Sequence, residues 1–242
     1  KEYELRSENS ISLLEAYLDK YPDSRHANRV ESMIASVYFN EGKYPEAIAV
    51  FRSCNLDALA DKERDDAALK LATSYLKIGN LEEAAIWFTL LKDVSKTHQS
   101  DAIYNLAYID YVEGRYEKAL EAFTSLQRDD VYDALVPYYI GEIHLIRGAY
   151  QQADEVASDY LRHFAGHKDE LEMKRIQGEA RYGLKDYLNS VPSLEAYVAG
   201  TPAPLRNALY KLGMGYYHTG AFTKSVEALG EAAIERDALS QN

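Results

Sequence analysis

The side chains in this sequence best suited to chemistry are His163 and His167, four positions apart, with Asp159 one turn upstream. On one continuous helix that spacing would gather two imidazoles and a carboxylate as ligands for a metal such as zinc. Gly166 falls between the histidines, where a helix is expected to stop, so the face is broken and no metal site is expected. The single cysteine, Cys54, excludes an intrachain disulfide, and its place among small packing positions predicts a buried, inert thiol. Acidic runs at 61–66 and 129–133 lack the alternating oxygen ligands and central glycine of a calcium loop. They are expected to cap helices and to keep the chain in solution. No phosphate-cradling glycine loop, serine elbow or paired metal motif is present, so the reading assigns no catalytic residues and no cofactor.

What the sequence does carry is a repeat. Between Tyr104 and Phe123, apolar residues at helical spacing (Leu106, Ala107, Ile109) stop at Gly114 and resume as Tyr116, Ala119, Leu120 and Phe123, the pattern of a helical hairpin. Equivalent turns stand at Gly42, Gly79, Gly114, Gly148, Lys185 and Gly220, separated by 37, 35, 34, 37 and 35 residues. Seven positions before these turns come Ala35, Ala72, Ala107, Gly141, Gly178 and Gly213; five after come Ala47, Ala84, Ala119, Ala153, Ser190 and Ser225. All are small, as helices that cross at about 8–10 Å require. Four further on, Phe51, Phe88, Phe123, Leu194 and Leu229 are expected to fill the neighbouring gap, with Ala157 the exception. Thr201 and Pro202 read as the cap and first-turn proline of the last hairpin.

These columns match, in order and at nearly the right period, the small, aromatic, glycine, alanine and phenylalanine positions of the tetratricopeptide repeat, which the chain resembles over almost its whole length. Departures are Lys185 at a glycine position, Asp110 at a usual tyrosine position and the 37-residue spacings. The resemblance implies an all-α, right-handed α-α superhelix of about six hairpins and thirteen helices. The expected units lie near 7–22 (a half repeat), 27–56, 65–95, 100–128, 134–164, 171–199 and 204–236, in a single solenoid spanning 1–242. Tyr21-Pro22-Asp23-Ser24, with Leu14 and Tyr17 before it, is also similar to the bacterial sub-class of cell-envelope assembly lipoproteins and periplasmic relatives, which favours periplasm or envelope over cytoplasm. Because a repeat array needs a polar-faced terminal helix and the last hairpin ends at Ile234, a further helix and a longer natural chain are expected.

In the family fold, positions ten, six and three before each turn line a concave groove. Here they include Tyr104, Tyr108 and Tyr111; Tyr138 and Glu142; Arg175, Glu179 and Tyr182; and Tyr210 and Tyr217. Tyrosine combines large contact area with a hydroxyl, which suits recognition, although the same rings can pack between neighbouring helices. The Lys and Asn clamp that relatives use to grip a chaperone's terminal carboxylate is absent from these positions, and Arg175 is expected to pair with Glu179. A formal charge of -12 argues against nucleic acid, and no apolar run is long enough to span a membrane. The reading is a non-catalytic scaffold for protein–protein interaction, holding a segment with apolar or aromatic and basic residues. Its alternatives are a structural part of a bacterial envelope assembly and a glycan-binding protein using the aromatic stripe.

Overall fold

The computed structural model describes residues 8–234. The start of the expected half repeat at position 7 and the tail from 235 to Asn242 lie outside the described residues. Within them the chain is all-α, with thirteen α-helices, one short 3-10 turn at Leu56–Ala58 and no strand. The helices form two compact units that part at Glu113 and Gly114. The first holds α1 (Glu8–Lys20), α2 (Ala27–Asn40), α3 (Tyr44–Ser53), α4 (Asp61–Lys77), α5 (Leu81–Val94) and α6 (Gln99–Val112). The second holds α7 (Tyr116–Ser125), α8 (Val136–Ile146), α9 (Tyr150–His163), α10 (Glu170–Gly183), α11 (Tyr187–Gly200), α12 (Arg206–His218) and α13 (Phe222–Ala233). Inside each unit every helix packs on the next, and α2 also meets α4, as α10 meets both α8 and α12.

The hairpin turns are nearly identical because the backbone must enter the left-handed region to reverse. Gly42, Gly79, Gly114, Gly148 and Gly220 take φ of +69° to +81°, and Lys185 takes +63° in the same place. Glycine meets that demand without a Cβ penalty; the lysine adopts the same turn at a cost. Five of the six reversals are closed by a 6→1 bond: Lys43 N–H to Tyr38 O, Asn80 N–H to Tyr75 O, Ala149 N–H to His144 O, Asp186 N–H to Arg181 O and Ala221 N–H to Tyr216 O.

The small columns are where the helices touch. Ala35, Ala72, Ala107, Ala47, Ala84, Ala119, Ala153 and Ser190 are wholly buried. A Cβ on Gly178 would meet Leu194 Cγ at 2.6 Å, one on Gly213 would meet Leu229 Cγ at 2.7 Å, and one on Gly141 would meet Ile176 Cγ2 at 3.1 Å. Phe51, Phe88, Phe123 and Leu194 are buried as expected, and where Ala157 leaves space the ring of Tyr160 enters the same core. Each such side chain contributes about 1.5–3 kcal/mol by leaving water.

Two expectations are corrected. The last hairpin does not start at Thr201 and Pro202: Thr201 caps the end of α11, and α12 begins only at Arg206 after Leu205. A second proline, Pro204, biases Ala203 away from helical backbone and delays the start. The acidic runs do not supply helix N-caps either: that at 129–133 stops short of Leu135, the N-cap of α8. Ala60 is the N-cap of α4 and makes no side-chain bond, while Asp61 and Asp65 pair with Arg64 and Asp66 meets His98.

Candidate functional site

Asp159, His163 and His167 do not stand on one continuous helix. Helix α9 ends at His163, whose Nδ1 donates to Asp159 O, and His167 lies beyond the break with its ring against Phe164. Among the described residues no group of three His, Cys, Asp or Glu side chains could hold a metal ion. Cys54 is buried, its Sγ–H donates to Asn28 O, and burial, with Glu31 adding to it, pushes the thiol up to about 11. Thiolate is the reactive form, so this thiol is inert at neutral pH. No helix in the described residues is long and apolar enough to cross a membrane.

The expected groove residues fall into two sets, one in each unit. In the first, Tyr104, Tyr108 and Tyr111 stand on α6 and are all half-buried. In the second, Tyr138 and Glu142 come from α8, Arg175, Glu179 and Tyr182 from α10, and Tyr210 and Tyr217 from α12. The carrier helices of the second set, α8, α10 and α12, are first helices of successive hairpins, packed side by side.

Arg175 is the hub of this second set. Its Nη2 donates to Glu142 Oε1 across to α8, its Nε donates to Glu172 at 2.7 Å and its Nη1 to Glu179 at 3.1 Å. Glu179 in turn accepts from Lys211 Nζ and, at 3.3 Å, from Asn207 Nδ2, both on α12. One arginine and one lysine thereby tie three adjacent helices together through charge-assisted bonds. Burial opposes the charge on Arg175, but Glu142 and Glu179, aided by bonds to Glu172 and Glu142, hold its pKa above the ordinary guanidinium value. The expected Arg175–Glu179 pair is present. Both residues are only 4% exposed, so the pair lies inside the helix packing and not on a surface. Their charges are spent inside the protein because an unpaired buried ion would cost several kcal/mol.

Tyrosines cover the same helices. Tyr182 lies near Tyr210 and Tyr187, and burial followed by those two neighbours raises its hydroxyl pKa. Tyr210 and Tyr217 are 49% and 55% exposed. Tyr217 belongs to a chain of ring contacts in which Tyr182 meets Tyr187, Tyr187 stacks on His218 at 4.0 Å, and Tyr217 touches both His218 and Phe222. Lys211, Asn207, Glu172, Tyr187, His218 and Phe222 were not singled out by sequence reasoning. Glu172 was legible, since it precedes Arg175 by three residues on one helix. Lys211 was not, because its partner Glu179 is 32 residues away and depends on the register of α12 against α10.

A tetratricopeptide repeat family model matches residues 32–95 and 104–169, more than half of the chain. Compared by sequence with curated proteins, the chain finds no match. Among solved structures it is similar to a tetratricopeptide repeat protein from Parabacteroides merdae, at 12% identity and TM-score 0.63, covering 96% of this chain and 88% of that one. It is also similar to pilF of Pseudomonas aeruginosa, at 16% identity and TM-score 0.65, covering 84% and 89%. A third is YrrB, described as a tetratricopeptide protein with an unusual peptide-binding site, at 17% identity and TM-score 0.59, covering 74% and 90%. These likenesses support the repeat fold without selecting the cell-envelope sub-class. With the turn geometry, the buried small columns and the matched segments in agreement, the chain belongs to the tetratricopeptide repeat family.

Proposed function

We propose that this protein is a non-catalytic scaffold that holds a partner segment against the first-helix face of its second unit, on Tyr138, Tyr182, Tyr210 and Tyr217 of the helices tied together through Arg175 and Lys211. The coarser part follows from the family, whose members are generally non-catalytic and bind proteins or peptides. The observation supporting the finer part is that Tyr210 and Tyr217 leave about half their surface exposed on α12, the helix whose Lys211 is already paired with Glu179. Amphipathic rings in that setting gain by covering their apolar faces while keeping the hydroxyl bonded. YrrB supplies a precedent for a peptide site on a similar fold.

Tyr104, Tyr108 and Tyr111 on α6 are a separate candidate surface of the first unit. The partner segment is apolar or aromatic with Lys or Arg. The network sets Glu142, Glu172 and Glu179 against Arg175 and Lys211, which leaves one negative charge in a chain of net charge -12. Electrostatic selection of a basic segment is therefore modest, and the rings carry most of the affinity. The test is a displayed random-peptide library panned in parallel with a glycan array. Aromatic, basic peptides that no longer bind Tyr210→Ala and Tyr217→Ala support the reading. A signal on glycans alone would move the face to sugar stacking. Binding of a folded partner that ignores these substitutions would place the contact elsewhere, as in an envelope assembly.

A further inference from the structure

Outside the tyrosine faces, His98 joins two helices of the first unit. It stands just before α6 and its ring lies between carboxylates of both: Nε2 is 2.7 Å from Asp66 Oδ1 on α4, and Nδ1 is 2.8 Å from Asp101 Oδ2 on α6. A neutral imidazole has one N–H and one lone pair, and an ionised carboxylate only accepts. Two bonds of this length therefore require both ring nitrogens to carry a proton.

We infer that His98 is a proton-operated clamp between α4 and α6: as imidazolium it binds both carboxylates, and as neutral imidazole it must release one of them. The ring is 15% exposed, against 42% for Asp66 and 33% for Asp101, so the pair is partly dry yet open to proton exchange. The connector fixes the ring's approach, since His98 N–H donates to Ser95 Oγ. Asp66 also acts on Lys70 of α4, whose buried amine donates to Ser36 on α2. Lys92 on α5 is held near the same corner through its carbonyl, which accepts from Gln99, and Lys96 lies in the connector itself. The carboxylates acting on the ring are Asp66 and Asp101.

Burial alone would lower the imidazole pKa; the bonds to Asp66 and Asp101 and their charges outweigh it and leave it raised. The sign follows from that direction. A raised folded-state value gives a stabilising contribution that is complete below the ordinary imidazole value of about 6.5 and is lost as pH rises through the folded value. The clamp therefore loosens as pH rises above the ordinary imidazole value of about 6.5. Because α6 carries Tyr104, Tyr108 and Tyr111, partner binding there would weaken over the same range. That consequence rests on the proposed function, whereas the clamp does not.

The experiment uses no partner. The His98 ring is titrated by NMR in the full chain, and thermal midpoints of wild type and His98→Gln are compared from about pH 5.5 to about pH 9. The ring should titrate above a histidine in a reference peptide, and Asp66→Asn should lower that titration point. His98→Gln should melt below wild type at the acid end, with the gap closing as pH rises. A ring that titrates at or below the reference, or a gap that stays constant with pH, overturns the clamp and leaves the proposed function untouched. If His98→Gln does not fold, the wild-type and Asp66→Asn titrations decide alone.

Discussion

Replacing Gly178 by alanine separates two effects that oppose each other at one atom. In a helix interior alanine is favoured over glycine by about 1 kcal/mol. At Gly178 the added Cβ would stand 2.6 Å from Leu194 Cγ, 2.8 Å from Leu194 Cδ2 and 3.1 Å from Leu194 N. Leu194 is fully buried and the third atom is backbone, so no flexible tip can swing aside and α10 must move away from α11. Overpacking of this kind costs about 1–3 kcal/mol, which outweighs the propensity gain and gives a net loss of up to about 2 kcal/mol. Gly230 on α13 supplies the control, since a Cβ there meets nothing within 4 Å and Gly230→Ala should stabilise by up to about 1 kcal/mol. Urea unfolding of both variants, read as the shift in midpoint at constant slope, should separate them by about 1–3 kcal/mol. If Gly178→Ala stabilises as much as Gly230→Ala, the small columns are not close helix contacts.

At the fifth turn, Lys185→Gly should raise the thermal midpoint, because glycine removes the left-handed penalty at φ +63° and the gain, after its larger unfolded-state entropy, is about 0.5–1 kcal/mol. Arg175→Ala should cost about 3–5 kcal/mol in the same urea assay, since it strands Glu142 and Glu179 in a partly dry site. A loss below about 1 kcal/mol, the level of an exposed pair, would show that the network is not buried in solution.

Most of the fold could be read from local regularities. The period, the turn glycines and the small columns each depend on neighbours a few residues away, and they located all six reversals, including the one at Lys185 where the glycine signal is missing. The start of α12 was misplaced because Thr201-Pro202 is a fair capping signal on its own, and only Pro204 downstream overrides it. The candidate site was legible in membership but not in depth. Positions relative to the turn identified Arg175 and Glu179, but that both are buried depends on how closely α8, α10 and α12 pack, which the small columns set only indirectly. Lys211 and His98 escaped for the same reason. Each gains its meaning from a partner more than thirty residues away, Glu179 for one and Asp66 for the other.

The central claim, that tyrosines of the first helices hold the partner, is tested most directly by calorimetric titration of a library-selected peptide into wild type, Tyr138→Ala, Tyr210→Ala, Tyr217→Ala and the second-helix control Gln152→Ala. Hot-spot energy concentrates in a few aromatic anchors, so at least two of the tyrosine variants should lose about 1–4 kcal/mol of binding. Gln152 is exposed on α9, away from the ring contacts, and its substitution should change affinity by less than about 0.5 kcal/mol. Equal losses in tyrosine variants and control, or undiminished affinity in all three tyrosine variants, would contradict the account.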